Sequence, residues 1–234
     1  GYKSILTYTP LWRGFGISIV VVFFGTILNL AITFSVGYVL SRKDFFSHKF
    51  FMFFFVFTMF FSGGLIPTYL LVAETLGMKN SLLSLIIPSA VSVWNIILAK
   101  TYFSNSLPGD LLEAAKIDGC SNVGFFFRIA LPLAKPIIAV IALYNIVGRW
   151  NSYFDAMIFI DDETKWPLQN VLRALINNNE ASASSGGQIS IDSMYRAEGM
   201  KYGAIILSTI PMLIIYPFVQ KYFVKGVMVG SIKG

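Results

Sequence analysis

Residues 110–132 read DLLEAAKIDGCSNVGFFFRIALP, a short polar island between stretches apolar enough to cross a bilayer. Pro108-Gly109 breaks the preceding helix, and Asp110 is placed to cap the next, with Glu113 at capping-box spacing. Leu111, Leu112, Ala114, Ala115 and Lys116 all favour helix. Gly119 supplies a stop, because a left-handed backbone costs glycine little. Ser121-Asn122 can cap a second short helix over 123–130, which Leu131-Pro132 ends. The pattern predicts two short helices joined by a glycine turn. Ala114 and Ala115 let a partner backbone come close, and Glu113 offers it a carboxylate. From physics alone the island is either a docking surface or an amphipathic surface helix between spans.

Composition decides where this island sits. The 234 residues are 56% hydrophobic and 13% charged, with 22 Phe. A soluble domain carries about a quarter charged residues, so this is an integral membrane protein. Cys120 and His48 are the sole residues of their types, which excludes a disulfide framework, a metal cluster and a His-based catalytic dyad. Gly119 and Gly124 have the glycine spacing of a phosphate-binding loop, but Phe125-Phe126 follows in place of Lys and a hydroxyl. The chain is therefore no ATPase, and no cofactor is called for. The net charge of +6 is spread in a way that points to membrane orientation rather than nucleic acid.

A spanning helix needs about 20 apolar residues. Five stretches qualify: 14–40, 50–72, 82–101, 134–160 and 202–224. Gly63-Gly64 and Pro67 predict a break in the later half of the second. Alternation puts Arg42, Lys43, Lys49, Lys100, Lys116, Arg128, Lys135, Lys221, Lys225 and Lys233 on one side. Lys3, Arg13, Lys79, Lys165, Arg173, Arg196 and Lys201 fall on the other, so the first side is cytoplasmic by ten to seven. Residues 161–201 then form one long outer loop, rich in Asn, Ser and Gly between 177 and 187. With residues 1–13 outside, the expectation is a missing first span and six spans in the full subunit.

Glu113-Ala114-Ala115, three residues, Gly119, nine residues, then Ile129-x-Leu131-Pro132 resembles the cytoplasmic "EAA" signature of the permease subunits of binding-protein-dependent ABC importers. Asp118-Gly119, Trp150-Asn151 and Gly226…Gly230…Lys233-Gly234 are similar to the maltose-type carbohydrate branch. Gly63-Gly64-Leu65-Ile66-Pro67-Thr68-Tyr69 and Gln220-Lys221-Tyr222-Phe223-Val224-Lys225-Gly226 look like the permeases often labelled as oligosaccharide or lipoprotein-linked. The resemblance covers essentially the whole chain.

It implies an all-α, multi-pass helical bundle in a bacterial cell membrane. Residues 1–234 would be one transmembrane domain, with 104–133 as the coupling loop and 161–201 as the extracytoplasmic loop. Asp110, Glu113, Ala114, Ala115, Asp118 and Gly119 would meet a separate ABC ATPase dimer. A second permease, giving a heterodimer, an extracytoplasmic solute-binding protein and a saccharide substrate are the other partners implied, beside membrane lipid. Transport would proceed by alternating access driven by the ATPase.

Inside the fourth stretch lie Arg149, Trp150, Asn151, Tyr153 and Asp155. An ionisable group at membrane depth costs about 2.5–3.5 kcal/mol on insertion scales, so it marks a candidate function. Hydrogen-bonding groups beside aromatic faces would suit a sugar path; the competing reading is structural pairing. Asn29, Asn95 and Asn145 are expected to bond between helices. The Phe run at 50–61 occupies all faces of its helix and is expected to meet lipid and other helices. Trp166 is either a contact for the binding protein or an interfacial anchor. An ion-coupled secondary transporter is the main alternative, but it lacks the expected paired carboxylates, His relay and inverted repeats. A membrane enzyme lacks an acid–base pair, and an ABC importer for a non-sugar solute stays open.

Overall fold

The computed structural model describes residues 7–184, 199 and 202–217. The similarities placed at 220–226 and 226–234 lie outside the described residues, as do 185–198, 200 and 201 of the expected outer loop. Among the described residues the chain is helical, without strands. Helix α1 is Thr9–Ser41, whose 33 residues give about 50 Å of length, more than a hydrocarbon core requires. Pro10 sits in its first turn, where the missing N–H is no loss.

Helix α2 is His48–Phe60, and the chain leaves helical geometry over residues 61–64 before α3, Leu65–Tyr69, which passes into a π-helical turn at Leu70–Thr75. The break expected at Gly63-Gly64 is present. The third stretch differs from expectation. It forms α4, Leu83–Ile86, and α5, Val93–Ser106; Pro88, which has no N–H to continue the coil, follows the end of α4. Its mean hydropathy conceals this one residue.

The island forms α6, Gly109–Ile117, and α7, Asn122–Phe125. Pro132 does not end the second short helix. The coil continues through a π-turn, Phe126–Ala130, and α8, Leu131–Leu133, and bends by 77° only at Ala134. Pro132 falls in the first turn of α8, a position that tolerates proline.

The fourth stretch is also two helices, α9, Lys135–Asn151, and α10, Phe154–Phe159. Most unlike the expectation is 161–184, which carries a 3₁₀ turn at Glu163–Lys165 and the 17-residue α11, Leu168–Ser184. Leu168, Val171, Leu172 and Leu175 repeat at helical spacing and supply its apolar stripe. Helix α12 is Tyr202–Pro217. One described helix is long and apolar enough to cross a membrane, or up to three if each bent pair counts as one span.

The described residues form two compact units. One takes those within Gly1–Gly25, Ile66–Pro88 and Ile146–Phe218; the other takes Thr26–Leu65 and Ser89–Asn145. The core of the first joins Leu11, Val22, Trp150, Leu168, Val171, Leu172 and Ala204. The second is centred on Phe34, Tyr38, Phe103, Phe125 and Ala130, with edge-on ring pairs Phe34–Phe103 at 6.0 Å and Tyr38–Phe103 at 5.6 Å.

Asn29 of α1, 0% exposed, ties the second unit together. Its Nδ2 donates to the Ala90 carbonyl at 2.8 Å. Its Oδ1 accepts from Asn145 Nδ2 at 2.8 Å, Asn95 Nδ2 at 3.4 Å and Thr33 Oγ1 at 3.3 Å. All three asparagines expected to bond between helices meet at this one oxygen. Interhelical bonds in membranes average about 0.6 kcal/mol, yet each amide stranded without a partner costs more. Asn29→Leu should therefore destabilise the protein in detergent by about 1–2 kcal/mol, and Asn95→Ala by less. Thermal unfolding midpoints of the two variants check that ranking.

Candidate functional site

The island is built around a helix end. Cys120 N–H donates to the Ala115 carbonyl at 2.8 Å and Gly119 N–H to the Lys116 carbonyl at 3.0 Å. These are the paired bonds of a Schellman motif, and they require Gly119 in the left-handed region, at φ +77°. The predicted stop is therefore present in detail. A Cβ on Gly119 would meet nothing within 4 Å, so the constraint there is conformational rather than steric.

The other end corrects the expectation. The capping residue of α6 is Pro108, and Asp110 lies inside the first turn without a capping bond. The capping box with Glu113 is not formed. Asp110 still favours the positive end of the helix dipole, and Lys116 lies in the last turn, where a cation is favoured. The next helix starts as anticipated, with Ser121 Oγ accepting from Gly124 N–H at 3.1 Å.

The two alanines have different surroundings. Ala115 is 8% exposed and packs into the core with Phe103 and Phe125, while Ala114 is exposed beside Glu113. Only Ala114 of the pair is open to a partner. Asp110, Asp118 and Gly119 are exposed as well, and Ile117 is 87% exposed, an apolar side chain that pattern reading passed over.

Arg42 fastens the island to the end of α1. Its guanidinium engages Asp44, donates to Tyr38 Oη at 3.0 Å and to Asn122 Oδ1 at 3.2 Å. The hydrogen bond from Arg42 holds the Asp44 carboxyl below the usual carboxylate range. A depressed value means the pair stabilises the fold above the ordinary aspartate pKa and is lost only as pH falls through the lowered one.

The five groups of the fourth stretch divide between core and surface: Trp150 is buried, Arg149 and Asp155 are half-buried and interact electrostatically, and Asn151 and Tyr153 are exposed. Trp150 is 3% exposed, packs edge-on to Phe15 at 5.4 Å, and its Nε1 donates to the Ser208 carbonyl at 3.0 Å. It is a core residue. Arg149 Nη1 donates to the Leu85 carbonyl at 3.1 Å. A Cβ on Gly25 would lie 2.5 Å from that guanidinium, so α1 is bare here to admit it. Asp155 is half-buried in the first turn of α10. Asn151 is exposed, its Nδ2 returning to the Val147 carbonyl at 2.9 Å. Tyr153 is 38% exposed, with the Arg173 guanidinium 4.5 Å above its ring.

Asn80 is a joint that sequence reading missed. It stands at φ +59°, which asparagine tolerates better than most residues. Its N–H donates to the Phe159 carbonyl at 2.8 Å, and its Oδ1 accepts from Asp161 and Asp162 N–H, each at 2.9 Å. Lys165 Nζ donates to its carbonyl at 2.9 Å, and Lys79 pairs with Asp161 at 3.0 Å. Trp166 closes the turn, Nε1 donating to the Ile160 carbonyl at 3.1 Å. The polar run Lys79-Asn80-Ser81 between apolar neighbours was the available signal.

With this geometry in place, the comparisons agree with one another. A family model described as binding-protein-dependent transport system inner membrane component matches residues 34–229. Protein LplC of Bacillus subtilis (strain 168) is 42% identical over 237 residues, covering 100% of this chain and 78% of that protein. The polygalacturonan/rhamnogalacturonan transport system permease protein YtcP of the same organism is 39% identical, covering 100% and 81%. A crystal structure of a bacterial ABC transporter involved in the import of the acidic polysaccharide alginate superposes with a TM-score of 0.82 at 32% identity, over 95% of this chain and 78% of the other.

The burial of Trp150 separates packing from recognition. Trp150→Ala should reduce folded yield sharply, since deleting a large buried aromatic costs about 3–5 kcal/mol in cores. Trp150→Phe should recover most of it, lacking only the bond to Ser208. Size-exclusion yield in detergent measures both.

Proposed function

Because the chain belongs to the binding-protein-dependent transport system inner membrane components, the permease subunits of ABC importers, we propose that it carries a saccharide chain across a bacterial membrane. It is a transport subunit and not an enzyme; ATP hydrolysis belongs to a separate chain, and a solute-binding protein supplies the cargo. The saccharide assignment is supported by YtcP, whose name gives polygalacturonan and rhamnogalacturonan, and by the alginate importer. In this reading residues 1–234 act as one transmembrane domain, paired with a second, non-identical permease in a heterodimer.

The observation that carries the mechanism is the Schellman-ended helix α6. Residues 104–133 are the cytoplasmic coupling loop, and 161–201 face outward. Glu113, Ala114, Ile117, Asp118 and Gly119 form an exposed edge, with Asp110 in the first turn, that suits a cleft in the ATPase. Ala115 anchors the same helix from its inner side. Closure of the ATPase dimer then moves α6 together with the core that holds it. Such a partner shifts the permease only if it binds α6 differently in its open and closed states.

The substrate path narrows to Asn151 and Tyr153, which keep exposed polar and aromatic surface. Arg149 and Asp155 border it, while Trp150 supports it from within the core. Asn151→Ala and Tyr153→Ala should raise the half-saturation concentration for saccharide uptake at unchanged folded yield. Unchanged uptake kinetics in both variants would assign them to packing, and uptake of a non-saccharide solute alone would overturn the cargo class.

The coupling assignment is tested at one backbone angle. Leucine in the left-handed region costs about 1–2 kcal/mol, whereas asparagine adopts it readily. In the assembled complex, Gly119→Leu should lower substrate-stimulated ATP hydrolysis and uptake by about tenfold, and Gly119→Asn should stay close to wild type. Normal coupling in a fully assembled Gly119→Leu complex would refute the assignment.

A further inference from the structure

Neither the coupling loop nor the substrate path uses the cleft beside the start of α2. His48, Lys49, Met52, Phe53 and Val56 line it from α2, facing Leu40 of α1 and Lys100 of α5 around a volume of ≈ 450 Å³. Positions 49, 53 and 56 recur at helical spacing, so a lysine and an apolar wall share one face. Lys49 is the second residue of α2. Lys100 lies six residues before the end of α5, about 9 Å along the helix, and is half-buried. Among the described residues neither lysine belongs to an ion pair. His48 Nδ1 donates to the Phe45 carbonyl at 2.9 Å, which fixes the ring at the start of α2.

The charge of this unit is net positive over the described residues: Arg42, Lys43, Lys49, Lys100, Lys116, Arg128 and Lys135 stand against Asp44, Asp110, Glu113 and Asp118, and Asp44 is engaged by Arg42. The wall is equally telling. Among the described residues α2 has none that is buried, so Met52, Phe53 and Val56 present carbon surface that a bilayer would cover. A cleft with cations at its mouth and hydrocarbon below matches an amphiphile with an anionic head. A soluble anion gains nothing from the wall, and a zwitterionic lipid brings no net charge to the lysines. Lysine suits the task, as a point charge on a flexible apolar stem that can rise to the headgroup level.

We propose that this cleft binds an anionic phospholipid of the inner leaflet, with its phosphodiester between Lys49 and Lys100 and its first acyl segment along Met52, Phe53 and Val56. The proposal rests on the orientation argued above, in which the α1–α2 connection is cytoplasmic. Its function is recognition of membrane composition at the cytoplasmic end of the helix that carries the Phe run.

The test uses the complete importer, purified and reconstituted in nanodiscs of equimolar phosphatidylcholine and phosphatidylglycerol, with retained lipid counted by native mass spectrometry after detergent stripping. Wild type should retain phosphatidylglycerol in preference to phosphatidylcholine. Lys49→Gln/Lys100→Gln should reduce that preference at least about fivefold. Lys43→Gln, outside the cleft, should leave it unchanged, and excess inorganic phosphate should not displace the lipid. Lys49→Arg/Lys100→Arg keeps the charge and should keep the preference, which guards against a misfolded double Gln variant. Equal retention of both lipids by wild type, an unaltered preference in the double Gln variant, displacement by phosphate, or a crosslink from position 49 to the second permease would each overturn the proposal. Retention is read without transport. A Gly119→Leu complex that couples normally while the preference holds therefore removes the coupling reading alone.

Discussion

The side-chain oxygen of Asn29 is the point on which one unit of this protein turns. It receives donors from Asn145, Asn95 and Thr33, while the amide nitrogen of the same side chain reaches the Ala90 carbonyl. In water such a group could be replaced by an apolar one with little loss. In hydrocarbon every stranded amide lacks any alternative partner, so the arrangement that satisfies all of them at once is strongly selected. An amide oxygen has two lone pairs, and three donors around it imply a shared, asymmetric set; the bonds of 2.8, 3.3 and 3.4 Å fit that. The network thus acts less as a sum of bonds than as a registration mark for α1, α5 and α9.

Burial cannot play this part here. Apolar side chains gain little from leaving lipid for protein, since lipid tails are as apolar as the core. This explains how α2 can carry Phe50, Phe53, Phe54, Phe57 and Phe60 largely exposed without instability. It also explains why the informative joints are polar and few. In one unit they gather at Asn29 and Arg42, in the other at Asn80 and at the Trp150–Ser208 bond. Each sits where a helix ends, breaks or meets a second helix, which is where backbone groups need partners.

The sequence was most legible where one residue type has one physical use. Gly119 as a left-handed stop, Ser121 as a cap and the break before Leu65 all follow from local chemistry; that Asn29, Asn95 and Asn145 bond between helices was legible, but not that they meet at one oxygen. Hydropathy was least legible at interruptions. Pro88 and the Asn151-Ser152 pair divide stretches whose average apolarity reads as continuous. Helix α11 was concealed differently. Its polar face and the Asn-rich end dominate composition, and only the spacing of Leu168, Val171, Leu172 and Leu175 discloses the buried stripe. The capping box failed because Pro108, with its preset dihedral, begins the helix two residues ahead of Asp110. Trp150 drew attention as an aromatic beside polar neighbours, yet its indole N–H could be satisfied inside the core by a carbonyl distant in sequence. No local pattern encodes that partner.

These features bear on how a motor on another chain can move this one. A loop helix tied down only at its ends would yield locally under load and transmit little. Helix α6 is instead terminated by two backbone bonds at Gly119 and held from its inner side by Ala115 against Phe103 and Phe125. The following turn is held by Arg42, which also contacts Tyr38 at the end of α1. Tyr38 stacks on Phe125 at 6.3 Å, lies tilted against Phe126 at 5.0 Å and meets Phe103 edge-on, so island, α1 and α5 form one packed body. Close-packed interiors deform poorly, and displacement at the exposed edge of α6 must therefore move that body as a piece. Under the coupling role proposed for α6, what the partner contributes is not force on a flexible tether but a choice between discrete placements of a rigid element. Its leverage is bounded by the difference in its affinity for those placements.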